Sequence, residues 1–238
     1  MVRVHTSETI LAVNFVKFAF RILTVLLVFG FFQPVHNEPK NLSLPNPALC
    51  AARKTHFRLG KSGYYATWFE KDTRNLFLNW LDARNWCRDR CMDLISMETA
   101  EEIRKVKQLM KQSNIKYCWT SGRVCDFGHG CERKDLQPIE VNGWFWSGSG
   151  AKLRPTNERS ELNDWSYTGA INKPQPDNRE KKNGGYAESC LAVLNNYYND
   201  GIKWHDVACH HIKSFVCEDS PELLNYARSI NKNSRVRF

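Results

Sequence analysis

Four side chains with acidic or amide oxygens, Gln175, Asp177, Glu188 and Asp206, fall within residues 175–217, and Cys190, Cys209 and Cys217 are interleaved with them. The segment reads Q-P-D-N, a glycine-rich loop, A-E-S-C-L-A-V-L, K-W-H-D-V-A-C and S-F-V-C-E. Two short apolar runs, 191–194 and 215–216, lie beside the cysteines and predict strands. The oxygens therefore belong to loops, and disulfide-pinned strands hold the loops, the usual division between scaffold and binding site. The chemistry on offer is ligation and hydrogen bonding. No nucleophile is paired with a base, no phosphate loop is present and no carboxylate dyad shows separate acid and base roles, so the sequence argues against an enzyme. His205, Asp206, His210 and His211 are close in sequence but lack H-E-x-x-H or another ligand spacing, which argues against a catalytic zinc centre.

The elements that position these residues must fit a chain of 238 residues, enough for one domain plus appendages or two very small domains. A hydrophobic share of 42% and an aromatic share of 12% suffice for a packed core. The net charge is +9 and the pI about 9.1, but the basic residues are spread, with only a loose group at Arg228, Lys232, Arg235 and Arg237. That pattern reads as a solvated surface and argues against a nucleic-acid site, while anionic glycans or matrix polymers stay open as partners. Nine cysteines point to an oxidising compartment, and their spacing lacks the paired C-x2-C of a zinc ribbon.

Basic residues at 3, 17 and 21 precede an apolar run over 22–32, too short for the roughly 20 residues of a membrane span, so residues 1–36 are expected to be a signal peptide of a secreted protein. Residues 37–56, rich in Asn and Pro, are expected to be an extended linker carrying the glycosylation sequon Asn41-Leu42-Ser43. The domain proper is expected over 57–219, with a tail over 220–238. Residues 61–68 alternate and predict a first strand. Trp80, Ala83 and Cys87 share one helical face, and a T-x-x-E capping box at Thr99 and Glu102 opens a second helix continued by Ile103, Val106 and Met110. Residues 117–120 predict another strand. Residues 148–174 form a polar stretch whose length marks a functional loop, with Trp165 as its own anchor. Pro221 opens a short helix expected over 221–230.

The sequence resembles the C-type lectin domain family, and most closely its secreted arthropod members with a Gln-Pro-Asp motif. The matching residues are Gln175-Pro176-Asp177, Glu188 two residues before Cys190, Trp204-His205-Asp206, Cys209, Phe215-Val216-Cys217-Glu218 and the strand Gly143-Trp144-Phe145-Trp146. The resemblance covers about residues 58–218. It implies an α+β, disulfide-stapled fold with two helices, small antiparallel sheets and a long ligand-binding loop. It further implies bonds of Cys87 with Cys217 and of Cys190 with Cys209, and a cis peptide before Pro176. Cys50, Cys91, Cys118, Cys125 and Cys131 are left unassigned. Their number is odd, so one is free or bonds another chain. Cys118 is the choice for a buried free thiol, and Cys50, in the linker, for a bridge to a partner.

Calcium is a hard cation that takes 6–8 oxygen ligands, and the family's ligands match Gln175, Asp177, Glu188, His205 and Asp206. Two vicinal sugar hydroxyls would complete the shell. The Gln-Pro-Asp order resembles galactose-type members, and Tyr186 is a candidate to stack on the sugar. His205 departs from the family's Asn. Imidazole is a poor ligand for calcium, which weakens the set without abolishing it. The implied function is a secreted, calcium-dependent galactose-type lectin. The alternative is a calcium-independent adhesion or structural module of extracellular matrix or cuticle.

Overall fold

The structure, a computed structural model, describes residues 41–231. The expected signal peptide and residues 37–40 and 232–238 lie outside the described residues. In chain order, helix α1 (Pro47–Ala51) is followed by strands β1 (Phe57–Leu59) and β2 (Ser62–Ala66), helix α2 (Trp80–Arg88), β3 (Met92–Leu94), helix α3 (Ala100–Gln112) and β4 (Tyr117–Val124). Then come α4 (Ile139–Asn142), β5 (Trp144–Trp146), α5 (Arg179–Lys182), β6 (Cys190–Asn195), β7 (Ile202–Val207), β8 (Ser214–Asp219) and α6 (Pro221–Ile230). This is the α+β, disulfide-stapled class expected from the sequence.

The strands run in the order β1-β2-β8-β4-β6-β7, with β3 also on β8 and β5 on β4. Only the β4–β8 pair is parallel among these. Strand β6 explains how the sheet is held. Its side chains alternate with period two. Leu191 and Val193 join Ile103, Val106 and Met110 of α3 in one core, and Cys190, Ala192 and Leu194 join Trp80, Ala83 and Cys87 of α2 in the other. A strand covered on both faces must be apolar throughout, and so the run at 191–194 has no polar interruption. Each fully buried side chain of this kind contributes about 1.5–3 kcal/mol by leaving water. The expected capping box is present, with the Thr99 hydroxyl accepting from the Glu102 amide and the Glu102 carboxylate accepting from the Thr99 amide at 2.8 Å.

The long loop over 148–174 is tied down from within. Trp165 is buried, edge-on to Trp144 at 4.9 Å and to Trp204 at 6.0 Å. The Ser166 amide donates to Trp204 O, and the Trp204 amide to Asp164 O. Lys107 and Lys203 both reach Asp164. The loop therefore enters the region of Gln175 from a fixed point.

Four disulfides are formed. Cys87 bonds Cys217, Cys190 bonds Cys209, Cys125 bonds Cys131 and Cys50 bonds Cys91. The last corrects the expectation that Cys50 is free for a partner chain. Residues 41–56 are also not an extended linker where described. Asn46 accepts from the amides of Ala48 and Leu49, Pro47 occupies the first helical position, and α1 brings Cys50 against Cys91, Leu223, Leu224 and Ala227. The expected helix over 221–230 is α6, and it docks on α1 through this cluster instead of trailing as a tail. Among the described residues no helix is long and apolar enough to cross a membrane.

Cys118 is the free cysteine among the described residues, and it is buried. Burial pushes its thiol up to about 12. It is therefore expected to resist alkylation by iodoacetamide at pH 8 in the native protein and to react fully once the chain is denatured. Mass spectrometry of both samples checks this, and native labelling would contradict the packing described for β4. The buried position also removes Cys118 as a route to a disulfide-linked partner.

Candidate metal centre

Asp177, Glu188 and Asp206 come from three segments and meet at one point. Asp177 follows the cis Gln175-Pro176 peptide, Glu188 precedes β6 by two residues, and Asp206 lies on β7 opposite Leu191. One carboxylate oxygen from each lies within 4.8 Å of the others. They line a cavity of about 640 Å³ that Gln175, His205, Tyr197, Tyr198 and Lys213 also line. Like charges this close, in a site partly shut off from water, raise the cost of ionisation. Asp206 is pushed up to about 7, first by burial and then by Glu188, against two amide hydrogen bonds that favour its charge. Glu188 is raised too, first by burial, with the charge of Asp177 adding to it against a hydrogen bond from the Glu180 amide.

Backbone amides supply part of the compensation. The amides of Asp177 and Asn178 donate to Asp206 at 3.1 and 2.6 Å, the Glu180 amide to Glu188 at 3.1 Å, and the Arg179 amide to Asp177 Oδ1 at 3.2 Å. Asn178 takes a left-handed conformation at φ +48°, and its side-chain oxygen accepts from the Glu188 amide. A carboxylate oxygen has two lone pairs, so one accepted N–H leaves the other for a cation. Asp177 Oδ2 is buried with no partner at all. An orphaned anionic oxygen beside two more carboxylates is what a hard divalent ion would satisfy, so these residues fit calcium.

Gln175 is buried at the edge of the same cavity, against Gly169. Gly169 has φ +47°, and a Cβ there would stand 2.5 Å from Gln175 Nε2, so a side chain at this turn would displace the amide. His205 is not among the three carboxylates that meet, although it lines the same cavity. Its side chain is 2% exposed, and Nε2 lies 2.9 Å from Asp200 Oδ2. Burial pulls the imidazole below its usual range, with Asp200 opposing. The ring thus packs between Asp200 and Tyr198. Asp200 Oδ2 meanwhile accepts from the Ser166 hydroxyl. Tyr186 is 69% exposed and rests on His210, 4.6 Å between ring centres, outside the residues that line the cavity.

No family model matches the chain. The chain is similar to C-type lectin-like domains of solved structure. One is the mouse scavenger receptor C-type lectin carbohydrate-recognition domain, at 20% identity and TM-score 0.45, over 69% of this chain and 94% of that one. Another is human lithostathine, at 19% identity and TM-score 0.44, over 77% and 99%. A third is TC14, a C-type lectin from the tunicate Polyandrocarpa misakiensis, at 18% identity and TM-score 0.44, over 66% and 97%.

Several residues at the site were not singled out by the sequence. Asp200 and Asn178 lie in loops and Glu180 on the one-turn helix α5, and by composition none differs from a solvated polar residue. Tyr197 and Tyr198 lie in the turn after β6, past Asn195 and Asn196, where no pattern singles them out. Lys213 is buried, its ammonium 5.0 Å from the centre of the Tyr117 ring and 4.8 Å from that of Trp119. Burial pulls it down to about 8, with Glu180 opposing. No spacing rule would single out a lone lysine before a strand.

Proposed function

We propose that the chain is a secreted, calcium-dependent carbohydrate-binding protein of galactose type. Asp177, Glu188 and Asp206, with Gln175 beside them, would hold the ion, whose chemistry is to accept two vicinal sugar hydroxyls into its coordination shell. The observation that carries the reading is the meeting of three carboxylates, one of which, Asp177, has a buried and partnerless Oδ2. The Gln-Pro-Asp order supports the galactose type, because it fixes which side of the site carries the amide donor. Four disulfides support an oxidising, extracellular setting. Asn41 is exposed, as a glycan acceptor must be. Among the aromatics, Tyr197 and Tyr198 line the cavity and are better placed than Tyr186 to meet the apolar face of a sugar.

Calorimetric titration with calcium, with and without galactose, tests the reading. His205 packs against Asp200 and Tyr198 and is not one of the three carboxylates that meet, so His205→Asn is expected to leave calcium affinity within about threefold. Absence of calcium binding in both the natural chain and this variant would remove the proposal. A calcium-independent matrix module is the second reading. It draws on the amides of residues 177, 178 and 180, which already neutralise much of the cluster. Glycan or matrix binding that survives chelator would select it.

A further inference from the structure

A second group of donors lies beside the carboxylates. We propose that Glu180, His210 and His211 form a separate site for a divalent transition-metal ion of the zinc class. Glu180 lies on α5, and the two histidines occupy the turn that follows Cys209. One donor atom from each of the three lies within 4.8 Å of the other two. His211 Nε2 is 3.0 Å from Glu180 Oε2, and His210 Nε2 is 4.0 Å from Glu180 Oε1. The imidazole planes are 27° apart with centres 4.5 Å apart, and both Nε2 atoms turn toward the one carboxylate.

Bonds of about 2.0–2.2 Å to nitrogen and oxygen place tetrahedral ligand atoms roughly 3.4 Å from one another. The two observed separations bracket that value. An ion would replace the contact between His211 and Glu180, and it would draw His210 in by well under one bond length. Two imidazoles and a carboxylate suit a borderline cation, whereas calcium prefers the all-oxygen set of Asp177, Glu188 and Asp206. The two centres are therefore chemically distinct although neighbouring.

The supports are local and covalent. Cys209, bonded to Cys190, fixes the start of the turn. Gly185 folds back on α5, where a Cβ would stand 2.7 Å from Glu180 Cγ. Tyr186 covers one face of His210. The three side chains are 50%, 45% and 29% exposed, so an ion can reach them and a fourth position stays open to water or to a ligand donor. The Glu180 amide donates to Glu188, so the new centre abuts the first through one hydrogen bond.

The test is calorimetric titration of the chelator-stripped full chain with zinc chloride in excess calcium, with cobalt(II) absorption as a spectroscopic signature of a four-coordinate site. One equivalent is expected to bind. His211→Ala, His210→Ala and Glu180→Gln should each weaken binding by about tenfold or more, and the double histidine variant should abolish it. Asp206→Asn should change it less than about twofold, since that residue belongs to the oxygen centre. All four substituted positions can be checked for folding by circular dichroism. No zinc binding, or zinc binding that survives the double histidine variant, overturns the proposal. So does loss of zinc binding in Asp206→Asn alone.

Discussion

Asp206→Asn is expected to weaken calcium binding by about 100-fold or more and to flatten the pH dependence of the metal-free protein. Asp206 is 3% exposed and stands where the other two carboxylates converge. Its removal takes away a ligand and a charge together. Asparagine keeps one acceptor oxygen, but its amino group would face a backbone amide, Asp177 or Asn178, that now donates to the carboxylate. The sign of the pH effect follows from the raised folded value, about 7 against 3.8 unfolded. Between those values the native state binds more protons than the unfolded one. Stability is then fully present below about pH 4 and is lost as pH rises through about 7. At 1.36 kcal/mol per unit the gap is worth roughly 4 kcal/mol. Thermal unfolding of the metal-free natural chain should therefore move to lower temperature between pH 5 and 8, and calcium should restore it. In the variant the slope should shrink but persist, because Glu218, pushed up to about 7 mainly by burial, contributes in the same direction. Unchanged calcium titration in the variant would show that the carboxylates do not share an ion.

What could be read from the sequence depended on whether a signal was local. Helices α2 and α3 were legible because their apolar stripes repeat at helical spacing and Thr99 and Glu102 mark a start. The tryptophans were legible as core because large aromatics beside strands have nowhere else to go. The disulfides of Cys87 and Cys190 came from the resemblance, not from spacing. The pairing of Cys50 with Cys91 was not legible, because α1 is brought to Cys91 by contacts distant in sequence, with α6 and with the end of α2. Composition misled at residues 41–56. Asn-Pro is common in linkers, yet Asn46-Pro47 is also an N-cap followed by proline at the first helical position. At the site, the sequence named the three carboxylates that the fold brings together, and it named His205 with them without showing its neighbours. A sequence shows that the residue is imidazole, and only the fold shows that Asp200 lies close to its Nε2.

The two disulfides are expected to fail differently, which tests whether site and scaffold are separately held. Removing Cys87 and Cys217 together, as alanines, opens a loop with a sequence separation of 130. It should cost about 5 kcal/mol in the chain-entropy model and lower the unfolding temperature sharply. It also unties α2 from β8, the central junction of one core. Removing Cys190 and Cys209 opens a separation of only 19 and should cost about 3 kcal/mol. The β6–β7 ladder, from Cys190 opposite Val207 to Asn195 opposite Ile202, stays intact without that bond. What loosens is the chain beyond the ladder's end, which carries Glu188 on one side and His210 and His211 on the other. Calcium affinity should therefore fall by about tenfold or more in the second variant while its fold persists, since metal sites depend on fixed ligand positions. In the first variant, molecules that remain folded should keep most of their affinity. Parallel calcium titration and thermal unfolding separate the two cases. Equal loss of stability with full retention of calcium affinity in the Cys190/Cys209 variant would mean that the loops hold Glu188 in place without help from the bond.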